Sequence, residues 1–297
     1  MMPQPVFLLD ASIYIFRAYF ALPDNWHSPE GYPVNALYGY TKFLLNYLDQ
    51  QQPQQVAAAF DESLGTCFRN ELHPEYKCSR VLPDETLAFQ LSACKAVTSV
   101  LGVPSFASSR FEADDIIATL AYKARGAGRS VVILSKDKDL GQLLVNTQDK
   151  LYDPATGTLL DQVAFKKKYG IAPKLMIDYQ MLVGDRIDDI PGVPGIGSKT
   201  ACLLVNQFGT VDHMLKRLDD IAAAPIRGAR SIASKLENFQ SQFEITRQLL
   251  TLRNDVALGR RSNQLKWKKP KRVNVEAFFN EFGLTPLIKQ LDKYSWL

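Results

Sequence analysis

The sequence predicts an α/β fold in which helices cover a parallel β-sheet. Three short apolar segments, Val6–Leu9, Val56–Phe60 and Val131–Leu134, are rich in Val, Ile, Leu and Ala, as strands buried on both faces are. Helical patterns lie between them, for example at Ala36–Leu48 and Leu87–Leu101. Strands that alternate with helices are typical of a parallel sheet, because each parallel connection needs a crossover.

The C-terminal part of the chain is predicted to be helical, with patterns at Ile221–Leu252 and Val275–Leu291. A boundary near Tyr169–Pro173 divides the chain into an N-terminal α/β domain, residues 1–170, and a C-terminal domain, residues 171–297. The chain has 297 residues, of which 46% are hydrophobic, so a substantial core can be buried.

The sequence predicts a cytoplasmic protein with no membrane partner. No apolar run is long enough to cross a bilayer. Asp10 and Arg17 interrupt the apolar N-terminal stretch, and no small-residue cleavage site follows it, so no signal peptide is predicted. The cysteines lack CxxC spacing and a histidine cluster, which predicts free thiols rather than a zinc site or disulfides: Cys67, Cys78, Cys94 and Cys202.

The formal net charge of +4 is unevenly distributed. Basic residues cluster at 260–272, which reads RRSNQLKWKKPKR, and at Lys166–Lys168. Taken alone, such clusters are most simply a solvated surface, but they also suit a polyanion as partner.

Acidic residues follow the three predicted strands. Asp10 and Asp61 come directly after the first two, and Asp137 and Asp139 follow the third. Ligands of open α/β sheets gather at the carboxyl ends of the strands, so these sequence-distant acids are expected to converge.

A fourth acidic group, Glu112, Asp114 and Asp115, precedes the amphipathic run IIATLAYKA. An acid in a first helical turn is explained by capping and by the helix dipole. Three acids in four residues exceed what capping requires. A fifth group contains Asp185 and Asp188, whose i, i+3 spacing would place them on one face of a helical turn.

These nine acids predict a metal site. They would repel one another strongly unless cations neutralised them. Oxygen ligands without His or Cys suit Mg²⁺ or Mn²⁺, and two such ions can clamp a phosphodiester. No Ser–His–Asp or Cys–His arrangement offers an alternative chemistry.

The glycine-rich segment IPGVPGIGSKT, residues 190–200, predicts a helix–hairpin–helix. It is not a P-loop, because Ser198 separates Gly197 from Lys199 and no strand precedes it, so no nucleotide cofactor is expected. Gly195 and Gly197 would make the tight connection, and Ser198 would cap the next helix. Such a hairpin holds the DNA backbone without reading bases.

The chain resembles the 5′-nuclease domains of bacterial DNA polymerase I and related flap endonucleases. The resemblance covers about residues 5–290 and lies in seven segments that stand in the family's order: VFLLDAS, NALYGYTKFL, AAAFDES, FRNELHPEYKCSR, EADDIIATLA, VVILSKDKDLGQLL and VGDRIDDIPGVPGIGSKTA. It implies a PIN-like domain with a helical arch and a C-terminal helix–hairpin–helix. The implied activity is that of a monomeric 5′-3′ exonuclease and flap endonuclease on branched or 5′-ended DNA. The chain ends where a polymerase would continue, so a stand-alone nuclease is expected.

The resemblance also implies roles for individual residues. Lys77 and Arg80 resemble arch residues that approach the scissile phosphate, and Arg17 resembles a contact to the cleaved strand. K⁺ would be bound by the carbonyls of Val193 and Ile196, beside the backbone-binding Gly195, Gly197, Ser198 and Lys199. The acids resemble an inner metal cluster, Asp10, Asp61, Glu112, Asp114 and Asp115, and an outer one, Asp137, Asp139, Asp185 and Asp188.

Two departures from the family pattern are Asp10-Ala11 where Asp-Gly is usual, and Asp188-Asp189 where Asp-Asn is usual. Neither removes an acid of the two clusters. Two other hypotheses are a PIN-type ribonuclease and a non-catalytic DNA clamp. The helix–hairpin–helix disfavours the first, and the presence of all nine acids disfavours the second.

Overall fold

A computed structural model describes residues 4–259 and 264–297. Among these residues, six strands form one sheet in the order β3-β2-β1-β4-β5-β6, and all neighbours are parallel except β5 and β6. No helix in the described ranges has the length and apolar character needed to cross a membrane. The strands are β1 (Val6–Asp10), β2 (Gln55–Asp61), β3 (Ser105–Ser108), β4 (Val131–Leu134), β5 (Lys150–Asp153) and β6 (Thr158–Leu160).

Helices cover both faces of this sheet, which confirms the predicted fold class. They are α1 (Ala11–Ala21), α2 (Asn35–Gln51), α3 (Phe68–Leu72), α4 (Glu85–Val100), α5 (Ala113–Gly126) and α6 (Gln162–Tyr169). Side chains alternate along β1, so that Leu8 packs in the core that contains α5 and Leu9 in the core that contains α1, α2 and α4. Strand β3 was not predicted, because its sequence SFAS contains only one large apolar residue, Phe106.

The second part of the chain is helical around a small hairpin. The hairpin pairs β7 (Gly184–Asp185) with β8 (Ile190–Pro191), and a glycine-rich loop follows it. Gly184 and Gly192 permit the close approach, since a Cβ on Gly184 would lie 2.4 Å from the Gly192 nitrogen. The helices are α7 (Met176–Val183), α8 (Ser198–Phe208), α9 (Val211–Leu215), α10 (Leu218–Ala223), α11 (Ala229–Asn238) and α12 (Gln240–Leu250).

Two local predictions for this region are wrong. Asp185 lies in β7 and Asp188 in the turn that follows, so they share a hairpin and not a helical face. The N-cap of α8 is Gly197, and Ser198 is the first residue of the helix, without a capping side chain.

The chain between α3 and α4, residues 73–84, is called the arch segment below. It consists of turns followed by irregular chain, whereas α4 packs against α2. Helix is interrupted here because Pro74 and Pro83 lack a backbone donor and Lys77 adopts a left-handed φ of 52°. The arch segment itself therefore consists of turns and irregular chain and contains no helix.

The C-terminal segment returns to the N-terminal sheet. Val56 N donates to Leu265 O at 2.8 Å, and Trp267 Nε1 donates to Leu101 O at 2.9 Å. Helix α13 (Arg272–Glu281) contributes Phe278 and Phe279 to the core around α2 and α4, and α14 (Thr285–Ile288) contributes Leu287. Residues 264–297 thus pack with the first domain, although the sequence assigns them to the second. Residues 260–263 of the basic cluster lie outside the described residues.

Candidate metal centre

The order of the sheet brings acids from four strands to one edge. Asp10 ends β1 and Asp61 ends β2, while Glu112 begins α5 after β3 and Asp137 follows β4. β1 lies between β2 and β4, so all four strands present their carboxyl ends on the same side. The chain changes direction across the sheet at β1, and ligands of such folds bind at this switch point.

A cavity of about 770 Å³ opens at this edge. The basic residues that line the cavity are Arg17, Lys77, Arg80, Lys136 and Lys138. Part of its wall is apolar and is formed by Phe16, Phe20 and Ile187. Eight of the nine acids singled out in the sequence line it as well: Asp10, Asp61, Glu112, Asp114, Asp137, Asp139, Asp185 and Asp188.

Asp10 and Asp114 line the cavity beside other acids. Burial, reinforced by repulsion from Asp137, raises the pKa of Asp10 to about 7, although Ser135 Oγ donates to Asp10 Oδ2 at 3.0 Å. Burial also raises the pKa of Asp114 well above its usual value, and repulsion from Asp137 and Asp10 acts in the same direction. Charge at this position is costly unless a cation is present.

Glu112 is held by three side chains. Arg69 Nη1 donates to its Oε2 at 3.0 Å, Tyr76 Oη donates to the same atom at 2.8 Å, and Lys77 Nζ contacts Oε1. Burial alone would raise the pKa of Glu112, but Lys77 and Arg69 outweigh it and lower that pKa. Glu112 is therefore ionised and fixed in orientation.

Of the nine acids singled out in the sequence, Asp115 is the one that does not line the cavity. Arg69 forms a bidentate pair with it, with Nη1–Oδ2 at 2.7 Å and Nη2–Oδ1 at 2.8 Å. Its remaining acceptor sites take the backbone N–H groups of Glu112 and Arg253, the former completing a capping box at the start of α5. With both oxygens engaged inside the protein, Asp115 does not offer a lone pair to a metal ion as the sequence suggested.

Three of the four outer acids, Asp139, Asp185 and Asp188, are paired with basic side chains. Lys138 Nζ lies 3.1 Å from Asp139 Oδ1 and 3.3 Å from Asp185 Oδ2. Arg80 Nη2 lies 2.7 Å from Asp188 Oδ1. Burial raises the pKa of Asp139 and of Asp188, and Asp137 raises that of Asp139 further.

The donor set fits hard divalent cations. Within residues 4–259 and 264–297, no three acidic, histidine or cysteine side chains converge tightly enough to enclose an ion in this arrangement. The cavity nevertheless offers carboxylate oxygens without nitrogen or sulfur ligands, which is the preference of Mg²⁺ and Mn²⁺. A divalent cation would also relieve the repulsion that raises the pKa values of Asp10 and Asp114.

Comparison with known protein families identifies the chain. Residues 5–170 match the 5′-3′ exonuclease N-terminal resolvase-like domain, and residues 171–273 match the 5′-3′ exonuclease C-terminal SAM fold. The chain belongs to the 5′-3′ exonuclease family. It is a nuclease, and its α/β fold with a helical second domain is the fold of that family.

Individual relatives agree with this assignment. The nuclease is 33% identical to the 5′-3′ exonuclease of Buchnera aphidicola subsp. Schizaphis graminum, over 90% of this chain and 92% of the relative. It is 38% identical to DNA polymerase I of Pseudomonas aeruginosa over 95% of its length, but spans only 31% of that protein.

Two solved structures share the fold. T5 5′-exonuclease with bound divalent metal ions (zinc) has a TM-score of 0.69 and 17% identity, covering 93% of this chain and 97% of that one. The catalytic core of Rad2 in complex with DNA substrate has a TM-score of 0.64 and 15% identity, covering 97% and 93%. At these identities the likeness concerns the fold.

Sequence reasoning on this nuclease identified Lys77 and Arg80 but missed three other side chains that contact its acids. Arg69 and Tyr76 stand in the segment FRNELHPEYKCSR, and Lys138 stands between two acids, yet none was singled out. Arg69 also donates from Nε to Leu249 O at 2.7 Å, so it connects α12 to Glu112. A buried arginine in a short helix gives little signal in a sequence, because its partners lie far along the chain.

Proposed function

We propose that this nuclease is a divalent-metal-dependent 5′-3′ exonuclease and flap endonuclease that hydrolyses DNA near 5′ ends and branch junctions. The observation that carries the proposal is the single cavity in which eight carboxylates face Lys77, Arg80 and Arg17. The acids would hold the metal ions, and the basic residues would face the phosphate. The Rad2 relative, solved with DNA substrate, supports DNA as the partner.

The ligands would form two groups. Inner ions would be held by Asp10, Asp61, Glu112 and Asp114, and outer ions by Asp137, Asp139, Asp185 and Asp188. Mg²⁺ or Mn²⁺ bound there would supply a hydroxide at neutral pH and stabilise the leaving oxygen. Asp115 acts through Arg69 as a positioning residue, since Arg69 joins it to Glu112.

The basic residues would act on the substrate. Lys77 and Arg80 contact acids in the free protein, and a substrate phosphate would compete for them. Their charge would then oppose the negative charge that develops on the phosphoryl oxygens. Arg17, on α1 at the same cavity, would hold the cleaved strand.

The glycine-rich loop would hold the DNA backbone away from the cut. Gly195 has a left-handed φ of 76°, and Gly197, Ser198 and Lys199 begin α8, where free N–H groups favour an anion. K⁺ would be bound by the carbonyls of Val193 and Ile196. The Val193 carbonyl already accepts Ile196 N at 3.0 Å, which leaves its second lone pair for the ion.

A cleavage panel tests this function. Flap, nicked, single-stranded and RNA substrates, each labelled at the 5′ end, would be incubated with Mg²⁺, with Mn²⁺ or with EDTA. We expect metal-dependent cutting of the flap and nicked DNA and none with EDTA. Binding without cutting in Mg²⁺ would indicate a DNA clamp, and preferential cutting of RNA would indicate a ribonuclease.

A further inference from the structure

The arch segment is joined to the β7–β8 hairpin through one acid outside the proposed metal ligands. Asp189 Oδ2 accepts hydrogen bonds from Ser79 N at 3.0 Å and from Ser79 Oγ at 2.7 Å. The two residues are 110 positions apart in the chain. We call this pair of hydrogen bonds the clasp.

Other contacts accompany the clasp. Cys78 Sγ lies 3.9 Å from the same Asp189 oxygen, and the remaining contacts involve residues with another proposed task. Lys77 N donates to Asp188 O at 3.1 Å, and Arg80 pairs with the Asp188 carboxylate at 2.7 Å. In the proposed function Asp188 would bind metal and Arg80 would face a phosphate, and their ion pair would then be lost. The clasp uses neither group, so it can hold the arch segment in place throughout.

The backbone at both sides of the junction is arranged for this contact. Lys77 has a φ of 52° and Asp189 a φ of 55°, both in the left-handed region that non-glycine residues rarely adopt. The turn at Asp189 directs its carboxylate to Ser79, and the turn at Lys77 directs the ammonium group to Glu112. Backbone of this kind persists where the surrounding contacts determine it.

We propose that Asp189 is a positioning residue for the arch segment: through Ser79 it sets where Lys77 and Arg80 stand over the acidic cavity. The proposal rests on the proposed function, in which these two basic residues meet the scissile phosphate. The alternative is that Asp189 has no positioning role and is present only because Asp, like Asn, adopts a left-handed turn more readily than most residues. Under that alternative, glycine would serve equally well.

Asp189→Gly separates the two cases, because glycine keeps the left-handed turn and removes the acceptor. Asp189→Asn keeps a side-chain acceptor and tests rescue. Ser79→Ala removes the Oγ donor only. Gln52→Gly is the matched control, since Gln52 is an exposed left-handed residue (φ 40°) at the end of α2.

Limited trypsin digestion of the metal-free protein reads the clasp without any activity assay. The arch segment contains two trypsin sites, Lys77 and Arg80, and mass spectrometry identifies cuts there. Loss of two modest hydrogen bonds should speed these cuts roughly tenfold in Asp189→Gly and roughly threefold in Ser79→Ala. We expect the arch segment to be cut at about the wild-type rate in both Asp189→Asn and Gln52→Gly. Melting temperatures check that all four variants fold.

Single-turnover cleavage of a flap substrate gives the second reading. Asp189→Gly should lower the turnover rate roughly tenfold with little change in the half-saturating DNA concentration, because misplaced cations act on the reaction step. Asp189→Asn should recover most of the rate. Digestion and turnover of Asp189→Gly equal to those of Gln52→Gly would overturn the proposal. If the wild-type protein cuts no DNA, the proposed function fails, and the digestion result still decides whether the clasp holds the arch segment.

Discussion

Lys77 and Glu112 form a buried ion pair at the edge of the acidic cavity. The Lys77 side chain is 12% exposed and the Glu112 side chain 9%. The Lys77 ammonium group thus contacts Glu112, which we propose as a metal ligand. It also lies 3.6 Å from Oδ2 of Asp188, a second proposed metal ligand. Metal binding and the position of Lys77 are therefore linked.

Lys77→Ala should have opposite effects on metal binding and on turnover. Without the ammonium group, Glu112 is free for a cation, so Mn²⁺ should bind the DNA-free protein more tightly, by a few-fold. Turnover should fall by roughly 10²-fold or more, because a cation at the reacting phosphate is lost. Calorimetric Mn²⁺ titration and single-turnover cleavage measure the two effects.

Lys136→Ala is the control for that experiment, since Lys136 lines the same cavity. It removes one positive charge without removing a partner of Glu112. A Mn²⁺ affinity that rises equally in both variants would mean that net charge, and not release of Glu112, governs metal binding.

Asp114→Asn and Asp115→Asn should change stability in opposite directions. Asp114 is buried among like charges, so a neutral amide should raise the melting temperature of the metal-free protein. Asp115 pairs with buried Arg69, and breaking such a pair costs about 3–5 kcal/mol. Thermal melts of both variants, with EDTA and again with Mg²⁺, measure these changes in melting temperature. Mg²⁺ should raise the melting temperature of the wild type much more than that of Asp114→Asn.

The sequence alone suggests that all five inner acids act alike. The structure instead predicts opposite changes in stability for Asp114→Asn and Asp115→Asn. Cutting should be lost in Asp114→Asn although the protein is folded. Equal melting temperatures for the two variants would contradict the distinct environments that the structure gives these neighbours.

Asp188→Ala should reduce activity less than Asp114→Asn and should raise the Mg²⁺ concentration needed for half-maximal rate. In the free protein Asp188 pairs with Arg80 and Lys77, so its carboxylate lies beside the basic residues of the cavity. A Mg²⁺ titration of the cleavage rate is the measurement. Asp212→Ala, which also removes an acid paired with an arginine, is the control away from the cavity. An unshifted titration for Asp188→Ala would remove it from the outer ligands.

Lys199→Ala should weaken DNA binding to a similar extent for all sequences and reduce the salt slope by roughly one unit, as loss of one phosphate contact does. Turnover at saturating DNA should change little, because Lys199 lies in the first turn of α8 and outside the cavity. Lys289→Ala, at the end of α14, removes an exposed charge elsewhere and should leave the slope unchanged. Equal slopes for all three proteins would contradict the role of the α8 terminus.

The local pattern of apolar residues was enough to predict the central parallel strands and the helices between them. The apolar segments ending at Asp10 and Asp61 were recognisable as strands, and parallel strands necessarily bring their carboxyl ends to one edge. The edge strand β3 and the β5–β6 pair escaped prediction because they are short and carry few large apolar residues. The return of the C-terminal helices to the first domain depends on packing, which sequence spacing does not encode.

The sequence by itself determined which acids are available and that most of them meet at one edge of a sheet. Only the tertiary structure decided what each carboxylate faces. Asp114 and Asp115 are neighbours in one helix, yet the first faces the cavity and the second faces Arg69, 46 positions away in the chain. Likewise, Asp189 reads as an added charge in a turn until the fold places Ser79 beside it. The physical reason is that a carboxylate's role depends on its partners and its burial, and both are set by contacts between distant segments.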